Sequence, residues 1–157
     1  MILLAQLAAL LAILGTGIVY GTDVFCALVQ RPALARVGDE ALTAVMGNVH
    51  RYGDRRLPAP GVTGLVAAAA AGVLAAIGGE PAEAILAGTA LVLLIGWIVL
   101  YARISAPINR ELTAAADRHE TPANARTLQA AWDRIIVLRA SLQGLAVLGL
   151  GLSIVIG

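Results

Sequence analysis

Apolar residues form four long, nearly uninterrupted runs along the chain. The runs cover residues 2–28, 62–77, 85–104 and 135–156, and the second is the shortest and the richest in alanine. A helix needs about 20 apolar residues to cross the roughly 30 Å hydrocarbon core of a bilayer. The pattern therefore predicts an all-α integral membrane protein, a four-helix bundle in which residues 1–157 form a single four-span domain.

The segment after the first run has a helical pattern instead of a continuous apolar one. Between Pro32 and Gly53, apolar residues recur at spacings of three and four, which places them on one helix face. This predicts an amphipathic helix in the loop after the first span, closed by Pro58 and lying at the interface or under the bundle. We also expect Pro107 to end the third span, and residues from Ala123 onward to continue into the fourth.

Composition and charge agree with a membrane protein. The chain is 59% hydrophobic and 13% charged, and its net charge of +1 argues against a nucleic-acid partner. All 11 basic residues are arginines, found after the first span and between the third and fourth, whereas the remaining turn carries Glu80 and Glu83. By the positive-inside rule both arginine-rich loops should be cytoplasmic and both termini outside, with a bacterial inner membrane as the expected location.

Polar residues inside the predicted spans recur at intervals of three, four and seven. Such positions share one helix face. The stripes are Thr16, Tyr20 and Asp23 in the first span, Trp97, Tyr101, Ser105 and Asn109 in the third and its extension, and Trp132, Arg139 and Gln143 in the fourth. We therefore expect polar side chains from three spans to face a shared pocket.

Asp23 and Arg139 fall at the same predicted depth. Counting about 20 residues inward from each end of the chain reaches Gly21 and Val137, so both charges lie near the cytoplasmic boundary. An isolated charge in lipid is costly, but a paired one facing the bundle can persist. We expect Asp23 to pair with Arg139 or with Arg103. The alternative is that Arg139 reaches the interface and the aromatic residues are interfacial anchors.

The sequence offers few groups for metal or cofactor chemistry. Cys26 is the only cysteine, and His50 and His119 are the only histidines, which is too few for a thiolate cluster or a histidine-rich site. We expect no metal and no cofactor. His119 lies in a polar connector and should be solvated. His50 ends the amphipathic helix, where an imidazole could act as a base or lie at the interface as an ordinary side chain.

Two stretches in the second half of the chain, APINREL and WDRIIVLRASL, resemble the anthrone oxygenase-like family of small four-span membrane proteins. The resemblance covers essentially the whole chain. Its marks, in order, are Phe25 and Pro32 after a glycine-containing first span, Asn109 after the third, and Trp132 seven residues before Arg139. The chain departs from the family at Ile136, where a histidine or asparagine is frequent.

The resemblance implies a cofactor-independent monooxygenase that oxidises a hydrophobic polycyclic phenolic substrate, an anthrone, to a quinone with dioxygen. It implies His50 or Asp23 as the base and Arg139 as the group that stabilises the enolate. The implied substrate-binding residues are Tyr20, Asn109, Trp132, Tyr101 and Gln143. A lipid-soluble substrate could enter from the side of the bilayer.

A nonenzymatic role is the alternative: a membrane protein that binds a lipid or a small hydrophobic ligand, or an assembly or scaffold partner. Transport is less well supported, because no inverted repeat or broken helix is evident. Spacing of small residues leaves a homo-oligomer open. The enzymatic and nonenzymatic hypotheses differ in whether the polar stripes converge on a cavity large enough for a ring system.

Overall fold

The computed structural model describes residues 1–157 as an all-α bundle without strands. Its helices are α1 (Ile2–Phe25), α2 (Arg31–Leu34), α3 (Asp39–Arg56), α4 (Pro58–Gly78), α5 (Pro81–Leu100), α6 (Ala106–Asp117) and α7 (Ala125–Ile156). Four helical stretches are long and apolar enough to cross a membrane: Ile2–Leu34, Pro58–Gly78, Pro81–Asp117 and Ala125–Ile156. The predicted all-α, four-span membrane bundle is confirmed, and α3 is the predicted amphipathic helix.

Two of these stretches continue through a proline. A π-helical turn, Cys26–Gln30, joins α1 to α2 just before Pro32, and a second, Tyr101–Ser105, joins α5 to α6 just before Pro107. Proline has no N–H to donate, and its ring clashes with the carbonyl four residues earlier. In both places that carbonyl belongs to the wider π turn, which relieves the clash. The expectation that Pro107 ends the third helix is therefore wrong.

Small residues fill the end of the bundle that holds both chain termini. Its core is built mainly from alanine: Ala9, Ala12, Ala67, Ala68, Ala71, Ala87, Ala90, Leu94, Ala146 and Leu150. Helices α1 and α4 approach so closely that a Cβ on Gly64 would lie 2.5 Å from Thr16 Oγ1. Gly17 and Gly21 on α1, by contrast, have no neighbour within 4 Å at their Cβ positions.

We call the opposite end, formed by α2, α3, α6 and the start of α7, the arginine-rich end. Its core has bulkier members: Cys26, Leu34, Leu42, Met46, Ile108, Leu112, Ala125, Trp132 and Ile136. Helix α3 lies against α6, where Gly47 leaves no room for a Cβ beside Leu112 and Ala116. Arg126 fixes the loop before α3 by donating to Asp39 and to the carbonyl of Leu34 over 2.6 and 2.9 Å.

Candidate functional site

A cavity of about 230 Å³ opens at the arginine-rich end, between the two cores. Side chains of α1, α3, α4, α5, α6 and α7 line it, and half of its 20 lining residues are hydrophobic. The charged groups lie on its inner walls. Its most exposed lining side chains are apolar, with Val49 43% and Val62 56% exposed. The cavity therefore combines an apolar rim with a polar interior.

An ion pair between α1 and α7 forms the deepest polar contact of the cavity. Arg139 Nη2 donates to Asp23 Oδ1 over 2.9 Å, and Arg139 Nη1 donates to Ser105 Oγ over 2.8 Å. Gln143 Nε2 donates to the second carboxylate oxygen, Asp23 Oδ2, over 2.6 Å. Both charged residues are at most 5% exposed. The predicted pairing of Asp23 with Arg139 is confirmed, while Arg103 is exposed and takes no part.

A second polar network is centred on Asp54, near the end of α3. Asp54 Oδ1 accepts hydrogen bonds from Tyr101 Oη and from Asn109 Nδ2, each over 2.9 Å. The side-chain oxygen of Asn109 in turn accepts from Trp132 Nε1 over 3.1 Å. This chain of bonds fixes the orientation of the Asn109 amide, and it links α3 to the π turn after α5, to α6 and to α7.

Aromatic rings connect the two networks. The Arg139 guanidinium lies 5.7 Å from the ring centre of Tyr101 and 5.6 Å from that of Trp132, within the range of cation–π attraction. The ring of Trp132 also packs against the ring of His50, and the two ring centres are 5.7 Å apart. One face of the cavity is therefore an aromatic surface held around a buried cation.

His50 is buried at 4% exposure, and its Nε2 atom has no hydrogen-bond partner. Burial, with a smaller contribution from the positive charge of Arg139, lowers the pKa of His50 to about 4, since both disfavour the imidazolium ion. The side chain is therefore neutral at pH 7, and Nε2 is free to exchange a hydrogen bond with an occupant of the cavity.

Trp97 and Arg139 also carry buried nitrogens without partners. Trp97 Nε1 and Arg139 Nε belong to side chains that line the cavity, and neither atom makes a hydrogen bond within the protein. An indole N–H and a guanidinium can only donate, and leaving such a donor unsatisfied costs about 1–3 kcal/mol. These unpaired groups favour an occupant that carries acceptor oxygens.

The structure brings most of the predicted site residues together. Six of them line the cavity: Asp23, His50, Tyr101, Asn109, Trp132 and Arg139. Gln143 does not line it but holds the Asp23 carboxylate. Tyr20 lies outside the cavity, where its ring is 3.1 Å from the Cβ position of Gly144 on α7. The structure therefore places Tyr20 against α7 and not in the cavity wall with the other predicted site residues.

Asp54 was not predicted as part of the site. Asp54 follows His50 by four residues on α3, a spacing that places both on one face, so the sequence did contain a signal for it. Trp97 and Ser105 appear in the third-span stripe, but nothing in the pattern shows that one keeps a free N–H and the other binds Arg139. The environments of both side chains depend on the π turn Tyr101–Ser105.

Comparison with known protein families, curated proteins and solved structures finds no match for this chain. No group of three or more His, Cys, Asp and Glu side chains is arranged to hold a metal ion.

Proposed function

We propose that this protein is a membrane-embedded enzyme of the anthrone oxygenase-like kind, which oxidises a hydrophobic polycyclic phenolic substrate with dioxygen. The observation that supports this proposal is the convergence of the predicted polar residues on one apolar-rimmed cavity of about 230 Å³. Enclosed sites with mostly apolar walls and a few convergent polar groups are typical of small-molecule binding.

The proposed reaction needs a base, a stabilising cation and an apolar slot. A proton leaves the reactive ring carbon for His50 Nε2, and the resulting enolate transfers electrons to dioxygen. One oxygen atom becomes the new carbonyl of the quinone, and the other leaves as water together with the two hydrogens removed from the ring carbon. Atoms and electrons balance with dioxygen as the only oxidant.

His50 is a better candidate base than Asp23. Both oxygens of Asp23 already accept hydrogen bonds from Arg139 and Gln143, whereas His50 Nε2 is free. A pKa near 4 makes His50 a weak base in the empty site. An enolate forming beside it raises that pKa, because a nearby negative charge favours the imidazolium ion. Asp23 then serves to position Arg139, whose charge faces the enolate.

We also propose the location and the orientation of the protein in the membrane. Both arginine-bearing loops are at one end of the bundle and the termini at the other, which supports cytoplasmic arginine-rich loops in a bacterial inner membrane. The cavity would then open at the inner leaflet, where a lipid-soluble substrate is concentrated.

An assay of the purified protein with anthrone under air tests this function. Oxygen uptake and quinone absorbance should both exceed those of a detergent blank, and His50→Ala should lower the rate by about 100-fold, a typical contribution of a general base. His119→Ala is the matched control, because His119 is exposed in the turn after α6. Absence of a rate above the blank, or equal rates for wild type and His50→Ala, would contradict the proposed enzyme.

A nonenzymatic hydrophobic-ligand binder is the second candidate. The apolar rim and the weak basicity of His50 favour it. Saturable binding of anthrone without oxygen uptake would distinguish such a binding protein from the proposed enzyme. Because Trp97 and Trp132 are the only tryptophans and both line the cavity, quenching of intrinsic fluorescence reports occupancy independently of turnover.

A further inference from the structure

Helix α3 presents three different faces to its surroundings. Successive residues of an α-helix are about 100° apart, so neighbours in sequence point in different directions. The inner face is buried against the bundle: Leu42, Thr43, Met46, Gly47 and His50. The two remaining faces are exposed and differ in polarity. One contains Glu40, Ala44, Asn48 and Arg55, and the other contains Ala41, Val45, Val49 and Tyr52.

The second of these exposed faces, which we call the apolar face of α3, has no partner within the chain. Val45 is 48% exposed, Val49 43% and Tyr52 53%. Apolar area exposed to water costs roughly 25 cal/mol per Å². A stripe of such side chains on a loop helix therefore indicates a contact outside the chain.

Short connections hold α3 beside the ends of the membrane-crossing helices. Residues 35–38 alone separate α2 from α3, and Leu57 alone separates α3 from α4. An 18-residue helix tethered in this way at both ends cannot move far from the bundle. Its exposed faces therefore meet whatever surrounds the arginine-rich end of the spans.

We propose that the apolar face of α3 contacts the lipid bilayer at the boundary between headgroups and acyl chains. Amphipathic helices with an apolar stripe beside basic residues occupy this boundary. Arg56 lies next to the apolar face, and its guanidinium is 5.3 Å from the ring centre of Tyr52. Together with Arg55 it places positive charge where lipid phosphates are found.

The size of the apolar face argues against a second copy of the chain as the partner. A stable interface buries about 800 Å² on each partner, more than four partly exposed side chains of this size supply. Lipid covers the apolar stripe without needing so large a contact area.

This placement connects the membrane surface with the cavity. Helix α3 carries His50 and Asp54 on its cavity side, and Val49 belongs both to the apolar face and to the cavity rim. The rim defined by Val49 and Val62 is then at the level of the lipid, so an occupant can pass between bilayer and cavity without crossing water. The inference does not depend on the reaction proposed above.

Site-directed spin labelling in lipid vesicles tests the inference. In a Cys26→Ala background, which removes the only cysteine, labels are placed in matched neighbouring pairs: Ala44→Cys with Val45→Cys, and Asn48→Cys with Val49→Cys. All four positions are exposed on α3, and members of a pair lie about 100° apart. Collision with oxygen, which concentrates in lipid, is compared with collision with a water-soluble nickel chelate.

We expect labels at 45 and 49 to collide preferentially with oxygen and those at 44 and 48 with the nickel chelate. Equal nickel accessibility within each pair would place the apolar face in water and overturn the proposal. Spin–spin broadening at 45 or 49 that disappears on dilution with unlabelled protein would also overturn it, because the partner would then be a second copy.

Discussion

At the residue scale, Arg139 is the side chain on which most polar contacts of the cavity depend. It binds Asp23 and Ser105 and lies over the rings of Tyr101 and Trp132. Removing one member of a buried ion pair leaves the other charge without compensation, which is more damaging than the loss of the attraction itself. The native fold is therefore stable only when Asp23 and Arg139 are correctly placed in the cavity wall.

Arg139→Ala should lower the free energy of unfolding by about 3–5 kcal/mol, since Asp23 would remain buried without its counter-ion. Arg110→Ala is the control, because Arg110 is exposed on α6. Arg126 is unsuitable, because it holds Asp39 and the Leu34 carbonyl. Thermal unfolding in detergent measures both variants. Equal melting temperatures of Arg139→Ala and Arg110→Ala would contradict the stabilising role of the Asp23–Arg139 ion pair.

The stability of the protein should depend on pH through His50. Its folded-state pKa of about 4 lies below the ordinary value of 6.5, so the unfolded chain binds a proton that the folded chain rejects. The stabilisation is complete above pH 6.5 and is lost as the pH falls toward 4, by about 2 kcal/mol at pH 5. His50→Gln should remove this part of the pH dependence, and His119→Gln should retain it. A pH profile that is unchanged by His50→Gln contradicts the assignment.

Much of the polar interior could be predicted at this scale, but not all of it. The pairing of Asp23 with Arg139 follows from helical stripes and equal depth. Asp54 was missed because it was not considered together with His50, which lies four residues earlier on the same helix. Tyr20 lies outside the cavity, and a stripe alone does not reveal which neighbour a side chain faces. Which neighbour a side chain contacts depends on the rotation of its helix about the helix axis, and the sequence pattern defines that rotation only approximately.

At the element scale, the helices are shaped by a few special positions. The two π turns precede Pro32 and Pro107 and keep each helix continuous through its proline. The sequence identified both prolines but not the π turns, because a proline can equally end a helix. Glycines have the same limit: the sequence shows where they are, but only the assembled bundle shows that a neighbouring helix packs closely on Gly64 and not on Gly17.

Gly64→Ala should destabilise the bundle by about 1–3 kcal/mol, because the new Cβ would lie 2.9 Å from the backbone nitrogen of Thr16 and force α1 away from α4. Gly17→Ala should not lower stability and should raise it by up to about 1 kcal/mol, because no atom lies within 4 Å of its Cβ position and alanine favours the helix more than glycine does. Melting temperatures of the two variants provide the comparison. Similar losses for both would show that α1 and α4 are not closely packed at Gly64.

Two helix ends allow a reciprocal test. Helix α4 is followed directly by a left-handed residue, Gly79 with φ 79°, and α6 ends two residues before another, His119 with φ 54°. A side chain costs about 1 kcal/mol in this conformation, and glycine avoids the cost. His119→Gly should therefore raise stability and Gly79→Ala lower it, each by about 1 kcal/mol, as measured by thermal unfolding. Shifts of the same sign would contradict this description of the two caps.

At the scale of the whole molecule, the bundle has two differently built halves. Alanine and glycine allow the helices to pack tightly at the terminal end, while larger side chains and α3 keep them apart at the arginine-rich end. The cavity lies in this wider half. Four apolar runs were sufficient to predict the spans and the fold class. A shared pocket was expected from the polar stripes, but its volume could not be predicted, because helix separations of a few ångströms set it.

A binding titration would show whether this cavity holds an apolar ring molecule. Anthraquinone, which cannot undergo the proposed oxidation, is added to the protein in vesicles while the fluorescence of Trp97 and Trp132 is recorded.

Gly61→Leu fills the cavity next to Trp97, whose ring is 3.4 Å from the Cβ position of Gly61. Gly21→Leu, at an exposed position without neighbours within 4 Å, is the control. We predict saturable quenching in the wild type and Gly21→Leu and its loss in Gly61→Leu. Identical, non-saturating quenching in all three would show that the cavity does not bind such a ligand.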